Sequence, residues 1–571
     1  MIPRLVLLGA LACIVHAPAQ AAIYTVGSDG ACTHTTINGA LLAAILNPGA
    51  DTIRIATNAT WTAQAVVVDN QSVTLAGGFP DCSTSTPTVG ARTQLSGAGV
   101  VGGPAPVIRI SNTQPGTAVV VLRDLRVTAG TNSGLRVSGD VLVSVERVLV
   151  VGNTATNGGG IHIDGAAGAS VVLDEPSTVF TNTASASGGG VYCTGPGVFA
   201  TRSRIWRNEA GDHGGGVFAT SGCTVNAFPE NVAPPTNPGI SENRAGIDGG
   251  GIDASAGATV NLIGTATHSM LVHDNRALTG SGGGIRALGA GTRLFLTDTR
   301  VTSNLAIRRG GGIAVSNGAE LLMERTQGCN RGPACSEMLT NSAAGPMGVT
   351  DNFGGAIAVW SGALARIEST RLRTHSANHA GAVFWVEGSG SLLDAEGVIV
   401  SNSLGLRSRV EAHNGGVAQF VHSTFFEGLG SNISLLSARN GGSVRLYSSL
   451  VAEQAGTVFD ITGGGAGDAD CVLAHEVVSM PPSSTRIGPA TAASALIVGS
   501  GDPHLRPDSP AIDFCDVGVV LPSTRDMDGE LRGFDRPERP NLHGPYDLGA
   551  DEHHGAVLGP AVFANGFEAG G

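Results

Sequence analysis

Apolar and polar positions alternate in short runs along much of the chain. Val119-Val120-Val121-Leu122 and Val141-Leu142-Val143-Ser144-Val145 read as short β-strands. One stretch has a different period. Ile37, Ala40, Leu41, Ala44 and Ile45 fall on one helical face, which predicts a helix over Thr36–Leu46 that Asn47-Pro48-Gly49 stops. From about residue 150 the alternation becomes a repeat. Glycine runs precede a branched apolar residue at Ile161, Val191, Val217, Ile252, Ile285, Ile313, Ile357, Val383 and Val417, with intervals of 30, 26, 35, 33, 28, 44, 26 and 34 residues. A second element precedes these landmarks: Asn followed two residues later by a small residue, at Asn153, Asn182, Asn208, Asn243, Asn275, Asn304, Asn341, Asn378 and Asn402. Three residues before each of these Asn stands an apolar residue, except at Asn378, where His375 takes that place.

A period of this length means a solenoid, a propeller or an array. Propeller blades run about 40–50 residues, longer than most intervals here. Units rich in Gly, Val, Ile, Thr and Asn disfavour helical repeats. The pattern therefore predicts an all-β fold, a right-handed parallel β-helix with a short N-terminal capping helix. Stacked coils lie about 4.8 Å apart, so equivalent residues form columns. An Asn column (Asn182, Asn208, Asn243, Asn275, Asn304) can pass amide hydrogen bonds from coil to coil. A Gly column (Gly190, Gly216, Gly251, Gly284, Gly312) lets neighbouring backbones approach. About 13 to 16 coils are expected, a rod of roughly 60–75 Å, whose open ends need caps. The 44-residue interval before Ile357 must bulge as a loop. The expected division is a signal peptide (1–21), a cap and first coil (22–60), the β-helix (61–460), C-terminal irregular coils or cap (461–555) and a tail (556–571).

Composition narrows the function. Gly is 85 of 571 residues and charged residues are 14%, against about 7% and about 25% in ordinary globular chains. Hydrophobic residues are still 42%, too many for disorder. The net charge is −13 and all 33 basic residues are Arg. An acidic chain without basic runs is a poor partner for nucleic acid or an anionic membrane. The lack of Lys removes lysine bases and Schiff bases. Arg4, the apolar run from Leu5 to Val15 and Ala19-Gln20-Ala21 form a secretory signal peptide pattern, which predicts a secreted or cell-surface protein. No later apolar stretch is long enough for a transmembrane span. Beyond Cys13, eight cysteines remain, consistent with disulfides in an exported chain. Cys32 and Cys82, Cys193 and Cys223, Cys329 and Cys335, and Cys471 and Cys515 are the candidate pairs. There is no C-x-x-C motif or His/Cys cluster for zinc.

Val-Phe-Thr-Asn (179–182), Ile-Trp-Arg-Asn (205–208) and Ile-Ser-Glu-Asn (240–243), each followed by Gly-Gly-Gly and Val or Ile, resemble the repeats of polymorphic outer membrane proteins. Those repeats pair F-x-x-N with G-G-A-[ILV] in the parallel β-helices of surface adhesins. The resemblance spans about residues 150–420, with Val or Ile where those repeats carry Phe and without their C-terminal translocator barrel. Ser509-Pro510-Ala511-Ile512-Asp513, Asp526-Met527-Asp528-Gly529-Glu530 and Tyr546-Asp547-Leu548-Gly549-Ala550-Asp551-Glu552 resemble the ends of secreted bacterial β-helix proteins with varied anchors. Val562–Glu568 is similar to a short terminal motif of exported bacterial proteins. These likenesses imply a surface or secreted protein and no particular activity.

Three groups of residues could carry chemistry. Just after the inward anchors lie His162, Tyr192, Phe218, Asp253 and Arg286. Aromatic rings beside polar groups suit a sugar, with its apolar faces and hydroxyl edges; ordinary cross-strand stacking accounts for the same pattern. Ser187, His213, Asp248 and Ser281 precede the glycines and would form a hydrolase triad, but on an unstrained edge with no evident oxyanion donors. Asp212, Asp248 and Asp253 could gather as a calcium site or glycosidase pair. Asp526–Glu530 resembles half a calcium loop and reads as a turn. The paired-Asp, Gly-His-Gly and Arg-x-Lys motifs of polygalacturonases are absent, and a lyase of this fold would need an Arg base. The sequence thus favours a non-enzymatic surface protein that binds a glycan or protein. A polysaccharide lyase or hydrolase is the alternative, and a purely structural rod a third. Calcium is the only cofactor left open.

Overall fold

The computed structural model describes residues 21–554, apart from 48, 166–167, 231–238, 266, 327–335, 347–349, 427–432, 453–455, 490–496, 500–501 and 517–524. The leader, Cys329, Cys335 and the terminal tail lie outside the described residues. The chain winds as a parallel β-helix. One coil illustrates the plan: Ile161–Asp164, Ser170–Asp174, Thr178–Phe180 and Thr183–Ala184. The first strand of such a coil joins a 14-stranded sheet, the next two a 29-stranded sheet, and the last a 9-stranded sheet of two-residue strands.

Alternation decides what faces inward. Ile161 and Ile163 are buried while His162 and Asp164 are half exposed. Parallel pairing carries the inward position through Ile161, Val191, Val217, Ile252, Ile285, Ile313, Ile357, Phe384 and Val410. At the last two of the nine repeat landmarks the aligned residues are therefore Phe384 and Val410, not Val383 and Val417. Val417 begins a strand of another sheet, paired with Leu392. Each buried branched side chain contributes about 1.5–3 kcal/mol, and stacking gives every coil two apolar neighbours.

The turns hold a buried amide ladder. The Nδ2 of Asn243 donates to Asn275 Oδ1 (3.0 Å) and to the Ile205 carbonyl (3.0 Å). Its Oδ1 accepts from the backbone N–H and Nδ2 of Asn208 (3.0 and 3.1 Å). The same pattern runs through Asn153, Asn182, Asn208, Asn275, Asn304 and Asn341. Beyond Asn341 the next two positions are His375 and Ser403, not Asn378 and Asn402. His375 reproduces the amide: Nδ1 accepts from the Asn341 N–H (3.2 Å) and Nε2 faces the Met338 carbonyl (3.1 Å). That pairing assigns the Nε2–H tautomer.

Burial pushes the His375 imidazole down to about 4. The unfolded side chain titrates near about 6.5, so acid favours the unfolded chain. His375 therefore supports stability above about pH 6.5, and that support is lost as pH falls through about 4. His375→Asn is expected to change neutral-pH stability by less than about 1 kcal/mol and to flatten this acid slope. Denaturant melts at several pH values check this; an unchanged slope rules against it.

The glycines that begin the 14-stranded sheet's strands face this ladder. A Cβ on Gly216 would lie 2.6 Å from the Gly251 carbonyl and 2.9 Å from Asn243 Nδ2. At the equivalent place beside His375 the chain carries Ala356, which accepts from the Gly312 and Ile313 N–H groups.

The N-terminus is closed by the helix Ile37–Ile45. Thr36 caps it, accepting from the Gly39 N–H at 3.1 Å. Ile37, Ala40, Leu41 and Ala44 are buried; Ile45, expected on the same face, is exposed because the face turns away before the last residue. Cys32–Cys82, Cys193–Cys223 and Cys471–Cys515 form disulfides. After Ala466–Ala474 and Thr485–Pro489 extend the large sheet, the chain folds back on its own flank. Ile497, Leu505, Ile512, Phe514 and Leu548 pack with Ile399, Phe426, Leu450 and Leu473 of the coils. The Ala550 N–H reaches Thr424 Oγ1 at 2.9 Å.

Candidate functional site

The outer face of the 14-stranded sheet brings the predicted strip together. Register places His162, Tyr192, Phe218, Asp253 and Arg286 on consecutive strands, each pointing away from the core because its two strand neighbours point in. The His162 and Tyr192 rings lie 4.9 Å apart and tilted. Tyr192 stacks on Phe218 at 5.4 Å with an interplanar angle of 18°. His213, from the turn before Phe218, stacks on its ring at 6.2 Å. Burial, reinforced by Arg136, holds the His162 imidazole below its ordinary value. Burial and Arg286 do the same for His213.

The next two residues form an ion-pair cluster. Arg286 Nε lies 2.8 Å from Asp253 and its Nη1 2.6 Å from Asp248. His213 Nδ1 stands 3.6 Å from Asp248 and 3.7 Å from Asp253. Asp253 is fully covered, and burial pushes its carboxyl up to about 7 despite Arg286. A covered carboxyl cannot touch a ligand, so Asp253 anchors Arg286 instead.

The hydrolase column aligns: His213 bridges to Asp248 through the backbone, and the Gly188 N–H bonds the His213 carbonyl. No Ser187–His213 hydrogen bond forms among the described residues, and Asp248 is held by Arg286 and the Ser281 N–H. Asp212, Asp248 and Asp253 do not converge into a ligand set among the described residues.

A scan against protein-family models finds no match, and no curated protein matches this chain.

A second aromatic group follows on the same face. Ala314 and Ala358 continue the outward column to Trp385, and both are covered. Phe353 stacks on Trp385 at 3.9 Å and 9°. Arg309 lies over Phe353 and Trp360, at 5.5 and 5.3 Å from their centroids, and pairs with Glu387 at 2.7 Å. His413 stacks on the other side of Trp385 at 5.4 Å. Trp385 follows the inward Phe384 just as Tyr192 follows Val191. Anchoring that coil on Val383 hides this, since a one-residue slip exchanges the two faces.

A third feature lies around the turn. Phe180 stacks on Trp206 at 5.6 Å, and Arg207 covers Trp206 at 4.4 Å. Beside them is a groove of about 490 Å³ lined by Arg207, Glu209, Glu242, Arg244, Asp274 and Arg276. Its charges balance, and Arg207 is already paired with Glu242 at 2.7 Å.

Proposed function

We propose that this chain is an exported, non-catalytic surface protein that binds carbohydrate along the outer face of its 14-stranded sheet. The observation that carries this reading is the His162–Tyr192–Phe218 stack. The three rings stack on one another along a rigid parallel ladder and turn an apolar row of ring edges outward, and Arg286 and Arg309 supply donors for hydroxyl or acidic groups. Few rotamers need ordering on binding, because the ladder holds the rings in place. Disulfides among the coils agree with an oxidising compartment, as does the leader-like N-terminal segment. No described helix is long and apolar enough to cross a membrane. The likeness to polymorphic outer membrane protein repeats points the same way. A hydrolase or lyase is less well supported: Asp253 carries a raised acid pKa but is sealed under Arg286.

The double variant Tyr192→Ala/Phe218→Ala is expected to lower binding on a glycan array about 5- to 150-fold, at about 0.5–1.5 kcal/mol per ring. Its far-UV circular dichroism should be unchanged. Equal binding by variant and wild type would remove the proposed strip, and no glycan binding by the wild type would favour the purely structural rod. Product release from a panel of acidic and neutral polysaccharides would favour the enzyme.

A further inference from the structure

The flanking C-terminal lobe carries a side-chain cluster that the surface strip does not use. His504 lies in the strand Asp502–Leu505. Its Nδ1 meets Asp502 and its Nε2 meets Asp528. Asp551 closes the group: one ligand atom each from His504, Asp528 and Asp551 lies within 4.8 Å of the others.

Backbone groups hold Asp551 and the turn that carries Asp528. Asp551 Oδ2 accepts from the Leu505 N–H at 2.7 Å. Asp526 Oδ1 accepts from the N–H groups of Asp528 and Glu530 at 2.9 and 2.8 Å, which closes the 526–530 turn and aims Asp528 inward. The Asp528 side chain is only 3% exposed, yet its Oδ1 has no hydrogen-bond partner among the described residues. An orphaned buried carboxylate oxygen is costly. Asp502, Asp528 and Asp551 also crowd one imidazole, which is more negative charge than that ring can neutralise.

We propose that His504, Asp528 and Asp551 bind one first-row divalent cation, with Asp502 orienting the imidazole. A metal-bound histidine commonly donates its other ring N–H to a carboxylate, which is the relation of Nδ1 to Asp502. One imidazole with two carboxylates suits zinc or manganese; calcium prefers an all-oxygen shell. The cation would join three separate segments of the chain: the strand at 502–505, the turn at 526–530 and the stretch around Asp551. The site is distinct from the surface strip, so it stands whether or not the chain binds glycans.

The test uses the full chain, stripped with a chelator and titrated separately with Zn²⁺, Mn²⁺ and Ca²⁺ by calorimetry, with elemental analysis of the loaded protein. The expected result is one equivalent of Zn²⁺ or Mn²⁺ per chain, bound more tightly than Ca²⁺, with a higher melting temperature. Asp528→Asn and Asp551→Asn should abolish the binding. Asp502→Asn, which leaves the ligands in place, should weaken it about 10–100-fold. Saturation by Ca²⁺ in preference to both other ions overturns the proposal. So does the lack of saturable binding by the wild-type chain at millimolar ion, a result that needs no variant to fold. Full retention of the ion by both ligand variants overturns it as well.

Discussion

Replacing Asn243 by Ala is expected to destabilise the β-helix by about 3–5 kcal/mol. Asn243 sits in the middle of the amide ladder and is fully buried. Its removal strands the Asn208 N–H, one Asn208 Nδ2 proton and the Ile205 carbonyl, which it now satisfies at 3.0–3.1 Å. Each buried polar group left unpaired costs about 1–3 kcal/mol. Asn378→Ala is the matched control. Its side chain is exposed and bonds only the Gly345 carbonyl among the described contacts, so its effect should stay within about 0.5 kcal/mol. Coils can unfold in stages, so the comparison calls for denaturant melts together with amide hydrogen exchange in the coils around residue 243. Similar losses for the two variants would show that the ladder is not the source of stability.

Gly216→Val is expected to prevent native folding altogether. The first atom of any side chain there would meet the Gly251 carbonyl at 2.6 Å and Asn243 Nδ2 at 2.9 Å. Gly251 opens the next coil and Asn243 lies at the end of Gly216's own, and neither can move without breaking the Val217–Ile252 ladder or the amide column. A clash of this kind is not local in a solenoid, because each coil is held mainly by its neighbours. The prediction is loss of soluble protein, or soluble protein with a broken, non-cooperative melt. The reverse change, Ala356→Gly, should cost only about 0.5–1 kcal/mol, since the chain there already accommodates a methyl group beside His375. Wild-type expression and melting of Gly216→Val would contradict the close approach.

What could be read from the amino acids alone is what recurs at fixed offsets. Gly190, Gly216, Gly251, Gly284 and Gly312 follow the Asn column at nearly constant spacing, and alternation within each short strand separates core from surface. A parallel stack turns one-dimensional recurrence into columns, so the coil plan and the His162–Tyr192–Phe218 row are both legible without coordinates. Legibility fails where one residue type substitutes for another by shape. His375 carries a donor and an acceptor at the separation an Asn offers, but nothing in its identity announces that. Asn378, three residues on, looks like the better match. The next coil begins its strand at Phe384 rather than Val383, and this single slip conceals the buried Trp385 stack. The state of Asp253 is also tertiary, because it follows from burial among neighbouring coils, with Arg286 and His213 beside it.

The C-terminal lobe marks the other limit. Its Asp526–Glu530 turn is local and could be recognised as such. The meeting of Asp502, His504, Asp528 and Asp551 could not. Those residues come from segments with no common period, and packing against Ile399, Phe426 and Leu450 is what brings them together. Periodic burial wrote the solenoid and its outward rows into the sequence, because each coil repeats its neighbour's solution. Charge pairing, the histidine in the amide ladder and the lobe's carboxylates were decided only in three dimensions, because each depends on which non-repeating neighbour happens to cover it.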